Sequence, residues 1–157
     1  NVPTATPVTI GAGGVNTQGS AATFARSDHV HRIEDPSDEV SSSTNITTTS
    51  TSPVTATGMT ITPAAGTYLV WFSGYGEHNN NNAELTIGVA VAGTDVADSE
   101  RRSGATNQSD NVTFTLATHA KVTVNGSQAI QGRYWRTGGS GSVELNSRTL
   151  SILKVDT

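Results

Sequence analysis

The sequence predicts an all-β protein whose larger part is a β-sandwich. Threonine, serine, asparagine and glycine dominate the composition, and threonine favours strands whereas glycine and asparagine favour turns. Short apolar–polar alternations recur between the turn residues, at the spacing expected of a sandwich or barrel. No stretch keeps a helical period over three turns.

The composition also excludes several classes of partner. The 157 residues include no cysteine, carry a net charge of −4 and contain two lysines, so neither disulfides nor a nucleic-acid surface is expected. The longest apolar run, Tyr68 to Phe72, is far too short for membrane insertion. Aromatic residues make up 5% of the chain, which predicts a thin core that depends on assembly with other copies.

The sequence divides into three segments. Residues 1–35 contain two prolines and a glycine cluster but few large apolar side chains, which predicts an extended neck intertwined with identical copies. Residues 36–52 are rich in serine and threonine and are predicted to be an exposed linker. Regular alternation follows, and residues 53–157 are predicted to form the sandwich head.

Two features of the head are specific. The strand predicted over Thr67 to Tyr75 is apolar on both faces, so it is buried on both sides or lies at a subunit interface. Asn125-Gly126 is the strongest hairpin signal in the chain, because both central residues of that turn need positive φ. Residues 129–135 are therefore predicted to pair with the strand that precedes the turn.

His29 and His31 flank a valine in the predicted neck. On an extended backbone their side chains point the same way, with Cα atoms about 7 Å apart. Such a pair can bind a metal ion, but two ligands are too few for a closed site. Either other residues of this chain or other copies of it must complete the site.

Three stretches of the head carry a family resemblance: residues 65–72, 122–130 and 148–155 read AGTYLVWF, VTVNGSQAI and RTLSILKV. In pattern and order they are similar to the Gly-x-Tyr strand, the penultimate hairpin and the terminal core strand of the C1q and tumour-necrosis-factor family. This resemblance implies a C1q/TNF-like jelly-roll head and a homotrimer. The terminal strand departs from the family in having threonine, serine and lysine where the family favours aromatics and glycine.

The neck carries a second resemblance. Residues 8–11 read VTIG and residues 19–31 read GSAATFARSDHVH, a combination that resembles a recurring segment of bacteriophage tail-fibre and related virion proteins. The resemblance implies that His29 and His31 from three chains bind one metal ion on the trimer axis. Six imidazole nitrogens favour iron or nickel over zinc. Arg32 stands where such fibres usually have proline.

An enzyme is not expected. His-x-His metallohydrolases need further ligands, and the remaining histidines, His78 and His119, do not lie in ligand-like motifs. Cupins are jelly rolls with His-x-His, but here the motif precedes the predicted sandwich. No Gly-x-Ser-x-Gly elbow occurs between a predicted strand and helix. The structural alternative for the histidine pair is a surface strand with two solvated imidazoles.

Together these observations predict the C-terminal part of a homotrimeric phage fibre, located on the virion, whose head attaches it to a host-surface glycan or protein. The candidate receptor-binding residues are His78, Asn79, Asn80, Asn81, Asn82, Tyr134 and Trp135. Asparagine amides suit sugar hydroxyls, although the asparagines are alternatively a plain polar turn and Trp135 is alternatively core. Two other functions remain open: a virion decoration or head-fibre protein without specific receptor binding, and a secreted C1q-like adhesive module.

The metal prediction is tested by elemental analysis of protein purified without chelator or nickel resin. We expect about one transition-metal ion per three chains, because six imidazoles complete an octahedral shell. The double variant His29→Ala/His31→Ala is expected to bind none, and His119→Ala serves as the control. A parent protein with well under one metal ion per three chains would contradict the site.

Overall fold

Strands make up the regular structure of residues 37–78, 82–104 and 112–155, the residues that the computed structural model describes. The strands are β1 (Ser37–Ser42), β2 (Ile46–Thr48), β3 (Val54–Ile61), β4 (Gly66–His78), β5 (Glu84–Val91), β6 (Thr94–Asp95), β7 (Arg101–Arg102), β8 (Val112–Val124), β9 (Ile130–Thr137) and β10 (Val143–Lys154). They form two antiparallel sheets packed as a sandwich. These residues contain no helix, and hence none that could cross a membrane. The predicted all-β sandwich is confirmed.

The chain passes repeatedly from one sheet to the other. The first sheet has the order β1-β10-β4-β8, with β2 also paired to β10. The second has the order β3-β9-β5-β6, with β7 also paired to β5. Six connections cross from one sheet to the other, and the first described strand lies beside the last. Most sheet contacts therefore join residues that are far apart in the sequence.

The core lies between the inner faces of the two sheets, and Phe72 of β4 is at its centre, fully buried. Its ring occupies the space opposite Gly132 of β9, where a Cβ atom would lie only 2.7 Å from Cε2 of the ring. The surrounding fully buried side chains are aliphatic: Met59, Val70, Leu85, Ile87, Val89, Ile130, Val143, Leu145 and Leu150. A glycine in β9 thus makes room for the largest of the fully buried side chains in the described part of the chain.

The predicted linker, residues 36–52, contains two strands of the first sheet and is corrected here. β1 pairs with β10 from Ser37 to Ser42, and β2 pairs with the beginning of the same strand. Val40 and Ile46 are partly buried against the core, which explains why this polar segment is ordered. The compact unit therefore extends from Ser37 to Asp156 and does not begin at residue 53.

The hairpin predicted at Asn125-Gly126 is wrong. β8 lies in the first sheet and β9 in the second, so the two strands do not pair. Gly126 has φ of 90°, but Asn125 does not have positive φ, as a two-residue hairpin turn requires. The Asn125 side chain instead accepts hydrogen bonds from the N–H and hydroxyl of Ser127. The tight hairpin lies elsewhere, at Ala92-Gly93, where β5 turns into β6.

We expect Gly132→Ala to destabilise the sandwich by about 1–3 kcal/mol, because the added methyl group displaces the Phe72 ring from a filled core. Gly104→Ala is the control, since a Cβ at Gly104 meets no atom within 4 Å. Urea unfolding at equal protein concentration measures the difference. Equal midpoints for the two variants would contradict this account of the core.

Candidate functional site

The outer face of the first sheet presents large apolar side chains to solvent. Alternate residues of β4 point outward, and among these Trp71 is 45% exposed and Tyr75 is 39% exposed. No other large hydrophobic side chain is exposed in the described parts of the chain. Within one chain, β4 is therefore not buried on both sides. The alternative that this strand lies at a subunit interface stays a prediction.

One half of this face carries three large apolar side chains among polar neighbours. Leu69 lies opposite Leu153 of β10, and Trp71 lies opposite Ser151 of the same strand. Both leucines are half-buried, and the β8 residues directly opposite Leu69 and Trp71 are the exposed Lys121 and His119. We call Leu69, Trp71 and Leu153 the apolar patch. Its position in the middle of a sheet, rather than at an edge, suits contact with another broad surface.

The other half of the face opens into a cleft of about 700 Å³, which we call the hydroxyl cleft. It is lined by Ser41, Ser42, Ser43, Thr44, Ser73, Gly74, Tyr75, Thr115, Ser147, Arg148 and Thr149. Eight of these eleven residues are serine or threonine. The cleft therefore combines many hydroxyl groups with one exposed aromatic ring.

A β-bulge in β10 shapes the cleft. Between Leu145 and Arg148, β10 has two residues where β4 has one, so the ladder between the two strands is interrupted. Gly74 lies opposite Arg148, and a Cβ at Gly74 would meet the Leu145 side chain at 2.6 Å. The absence of a side chain at Gly74 keeps the two strands close, while the extra residue in β10 turns Ser147 outward.

Arg148 holds the wall of the cleft from the interior, where it is 3% exposed. Its guanidinium donates to the carbonyl oxygens of Thr44 at 2.6 Å, Asn146 at 3.0 Å and Thr57 at 2.7 Å. Thr57 lies where β3 leaves its pairing with β9, so its carbonyl is turned to Arg148 and not into the ladder. One side chain thus joins the β1–β2 loop, β3 and β10.

The charge of Arg148 is compensated by carbonyl dipoles. Among the described residues no carboxylate forms an ion pair with it. Burial lowers the pKa of Arg148, and the nearby Tyr134 phenol partly opposes this effect. Burial likewise raises the pKa of Tyr134, and the positive charge of Arg148 partly offsets that rise. The guanidinium therefore has a structural role, because its N–H groups are already hydrogen-bonded to backbone carbonyls and are not directed at a ligand.

The asparagine loop is described only at its ends. His78 is the last residue of β4, and Asn79, Asn80 and Asn81 lie outside the described residues. Asn82 is exposed and has φ of 62°. A Cβ at Gly138 would lie 2.7 Å from the Asn82 carbonyl oxygen, so the glycine turn before β10 lies against this loop. The receptor-binding role of these residues stays a prediction.

The structure places both Tyr134 and Trp135 in the interior. Tyr134 is 5% exposed, and its hydroxyl donates to the Thr47 carbonyl at 3.1 Å. Trp135 is 7% exposed, and its ring covers Gly88, where a Cβ would lie 3.3 Å from the ring. Neither ring presents a face on which a sugar could stack. Tyr134 belongs to the core between the sheets, whereas Trp135 is buried outside that core, against Gly88.

The histidine pair of the neck, His29 and His31, lies outside the described residues. Among the residues that are described, no group of three or more histidine, aspartate or glutamate side chains could bind a metal ion. The metal site of the neck stays a prediction.

The hydroxyl cleft was not predicted from the sequence. Its first wall comes from the serines at 41–43, which belong to the segment interpreted as a linker. The sequence does contain a signal for the bulge. The buried apolar residues of β10 have odd numbers in its first half, Val143 and Leu145, but even numbers in its second half, Leu150 and Ile152. This change of parity requires one extra residue between the two halves of the strand.

The chain was compared with known proteins by sequence. No protein-family model matches it, and a search of curated proteins finds no match. Function must therefore be argued from the residues and their geometry.

Replacing Arg148 tests its role in the wall of the cleft. We expect Arg148→Met to lower the free energy of unfolding by about 2–3 kcal/mol, because buried carbonyl groups lose their donors. Arg101→Met, at an exposed position of β7, is expected to change it by less than about 0.5 kcal/mol. Urea unfolding followed by circular dichroism measures both values. An Arg148→Met variant as stable as the control would contradict the role of Arg148 in joining the β1–β2 loop, β3 and β10.

Proposed function

We propose that the chain is the C-terminal part of a homotrimeric bacteriophage fibre, and that it attaches the virion to a receptor on the host surface. The observation that carries the proposal is the outer face of the first sheet, where the apolar patch lies beside the hydroxyl cleft. The first half of that face suits another copy of the chain, and the second suits a ligand.

The order of the strands supports a jelly-roll head. The chain passes from one sheet to the other at six connections, and β1 lies beside β10. Double antiparallel sheets in which sequence neighbours alternate between layers are typical of jelly rolls. This arrangement agrees with the resemblance of the head to the C1q and tumour-necrosis-factor family.

The apolar patch supports self-assembly. Trp71 leaves nearly half of its surface in water although Leu69 and Leu153 flank it. Burial of such a patch stabilises an interface by about 25 cal/mol for each Å² removed from water. A second and third copy supply matching surfaces by symmetry, and the predicted neck, with His29 and His31 around one metal ion, would hold the three chains in register.

The number of clefts in a trimer supports the proposed host attachment. A trimer carries three identical hydroxyl clefts, so a receptor that is repeated on a cell surface can occupy more than one of them. Linked weak sites then bind with an avidity that exceeds the affinity of each site. This role needs no catalytic group in the head.

Adsorption competition tests the attachment itself. Purified trimer is expected to block adsorption of a phage that carries this fibre and to bind the same host cells directly. A trimer that binds neither cells nor receptor, yet assembles on virions, would identify a decoration or head-fibre protein. A secreted adhesive module would bind cells but would be absent from virions.

Sedimentation velocity tests the assembly. The parent is expected to sediment as a species three times the 16.2 kDa mass of one chain. Trp71→Lys places an ammonium group in the proposed interface, so dissociation should begin at a protein concentration at least about tenfold higher. Thr60→Lys, at an exposed position of β3 in the other sheet, is the matched control. A monomeric parent, or a Trp71→Lys variant that assembles like the parent, would contradict the interface.

A further inference from the structure

We infer that the hydroxyl cleft is a binding site for a neutral carbohydrate, with Tyr75 as the surface on which a sugar ring stacks. This inference deepens the proposed function, on which it rests, by assigning the chemical class of the receptor and the place where it binds. The site differs from the asparagine loop and the aromatic pair that the sequence indicated.

A row of hydroxyl groups crosses the floor of the cleft. Ser41 lies directly opposite Thr149, and Thr149 lies directly opposite Ser73, so the three residues stand side by side on neighbouring strands. Strands in a sheet are about 4.8 Å apart, and the row therefore spans about 10 Å. This length matches two linked sugar rings, whose hydroxyl groups recur at a comparable spacing.

These hydroxyl groups are available to a ligand. In the described part of the chain, the side chains of Ser41, Ser73 and Thr149 make no hydrogen bond to another residue. Outside the cleft, the next hydroxyl on the same face of β10 is already engaged, since Ser151 donates to Glu39 at 2.7 Å. A hydroxyl both donates and accepts, so it can pair with a sugar hydroxyl in either direction.

Tyr75 supplies the apolar contact that sugar binding needs. Its phenolic hydroxyl donates to Glu77 at 3.3 Å, which orients the ring, while 39% of the residue remains exposed. Thr115 of β8 lies directly opposite Tyr75 and closes that side of the cleft. Aromatic rings combine a large contact area with little conformational freedom to lose on binding.

The absence of an available charge among the lining residues selects a neutral ligand. The one ionisable lining group besides the tyrosine is Arg148, which is 3% exposed and bonded to three carbonyl groups. An acidic sugar therefore gains no bidentate ion pair here, whereas a neutral sugar leaves no charge unpaired. The volume of about 700 Å³ lies within the usual range of ligand sites.

The test is an oligosaccharide array that contains neutral hexose and deoxyhexose chains together with acidic, uronate-containing chains. The parent trimer is expected to bind a subset of the neutral chains. Tyr75→Ala should weaken that binding at least about tenfold, and Tyr75→Phe, which keeps the ring, should preserve it. The double variant Ser73→Ala/Thr149→Val should also lose at least about tenfold, whereas Thr60→Val on the other sheet should bind like the parent.

Sedimentation and circular dichroism accompany each variant, so that lost binding is scored only for folded trimers. Binding to acidic chains alone, no binding to any chain, or equal binding by the parent and both cleft variants would overturn the site. If the parent adsorbs to host cells and the folded cleft variants adsorb equally well, the cleft is not the receptor site, although the attachment function is supported. If neutral oligosaccharides bind through Tyr75 but the trimer does not compete for adsorption, the cleft is a carbohydrate site and the proposed attachment function is contradicted.

Discussion

The buried guanidinium of Arg148 joins the beginning of the sandwich to its end, in addition to the pairing of β1 and β2 with β10. Removing a guanidinium from water is costly, and this cost is offset here by carbonyl oxygens of Thr44, Thr57 and Asn146 and not by a carboxylate. Because these carbonyls belong to the β1–β2 loop, β3 and β10, a polar segment with few apolar side chains is held in place. Together with the pairing of β1 with β10 and the burial of Val40 and Ile46, these hydrogen bonds position one wall of the cleft.

The outer face of the first sheet combines two kinds of surface on one strand. Toward the start of β4, the outward side chains are the large apolar Leu69 and Trp71; toward its end, Ser73 and Tyr75 lie among hydroxyl groups. Since outward-facing residues recur every second position, a shift from apolar to polar residues over four positions separates the halves by about 13 Å. A chain can thus bury one half against its own copies and leave the other half open to a ligand.

The sequence predicted the sandwich because its strands alternate, as in β5, where Leu85, Ile87 and Val89 all point into the core. It showed that both faces of β4 are apolar, but it could not show which face is inner or whether Trp71 is covered, since coverage depends on partners. It failed at the linker, where burial of Val40 and Ile46 outweighs a polar composition. It also failed at Asn125-Gly126, because turn residues report local geometry and not the sheet that the next strand joins. The buried state of Tyr134 and Trp135 depends on contacts distant in sequence, which periodicity does not encode.

Because of the bulge in β10, the number of residues in that strand decides which of its side chains face the core. Deleting Ser147 would leave one residue between Leu145 and Arg148, as in a regular ladder with β4, so Leu150 and Ile152 would still face the core. Deleting Thr149 instead, in the regular half of the strand, would turn Leu150 and Ile152 toward water and Ser151 toward the core. A change of one residue in length is therefore compatible with the core at the bulge but not in the regular half of the final strand. In β10, insertions and deletions are therefore limited to those that keep Leu150 and Ile152 facing the core.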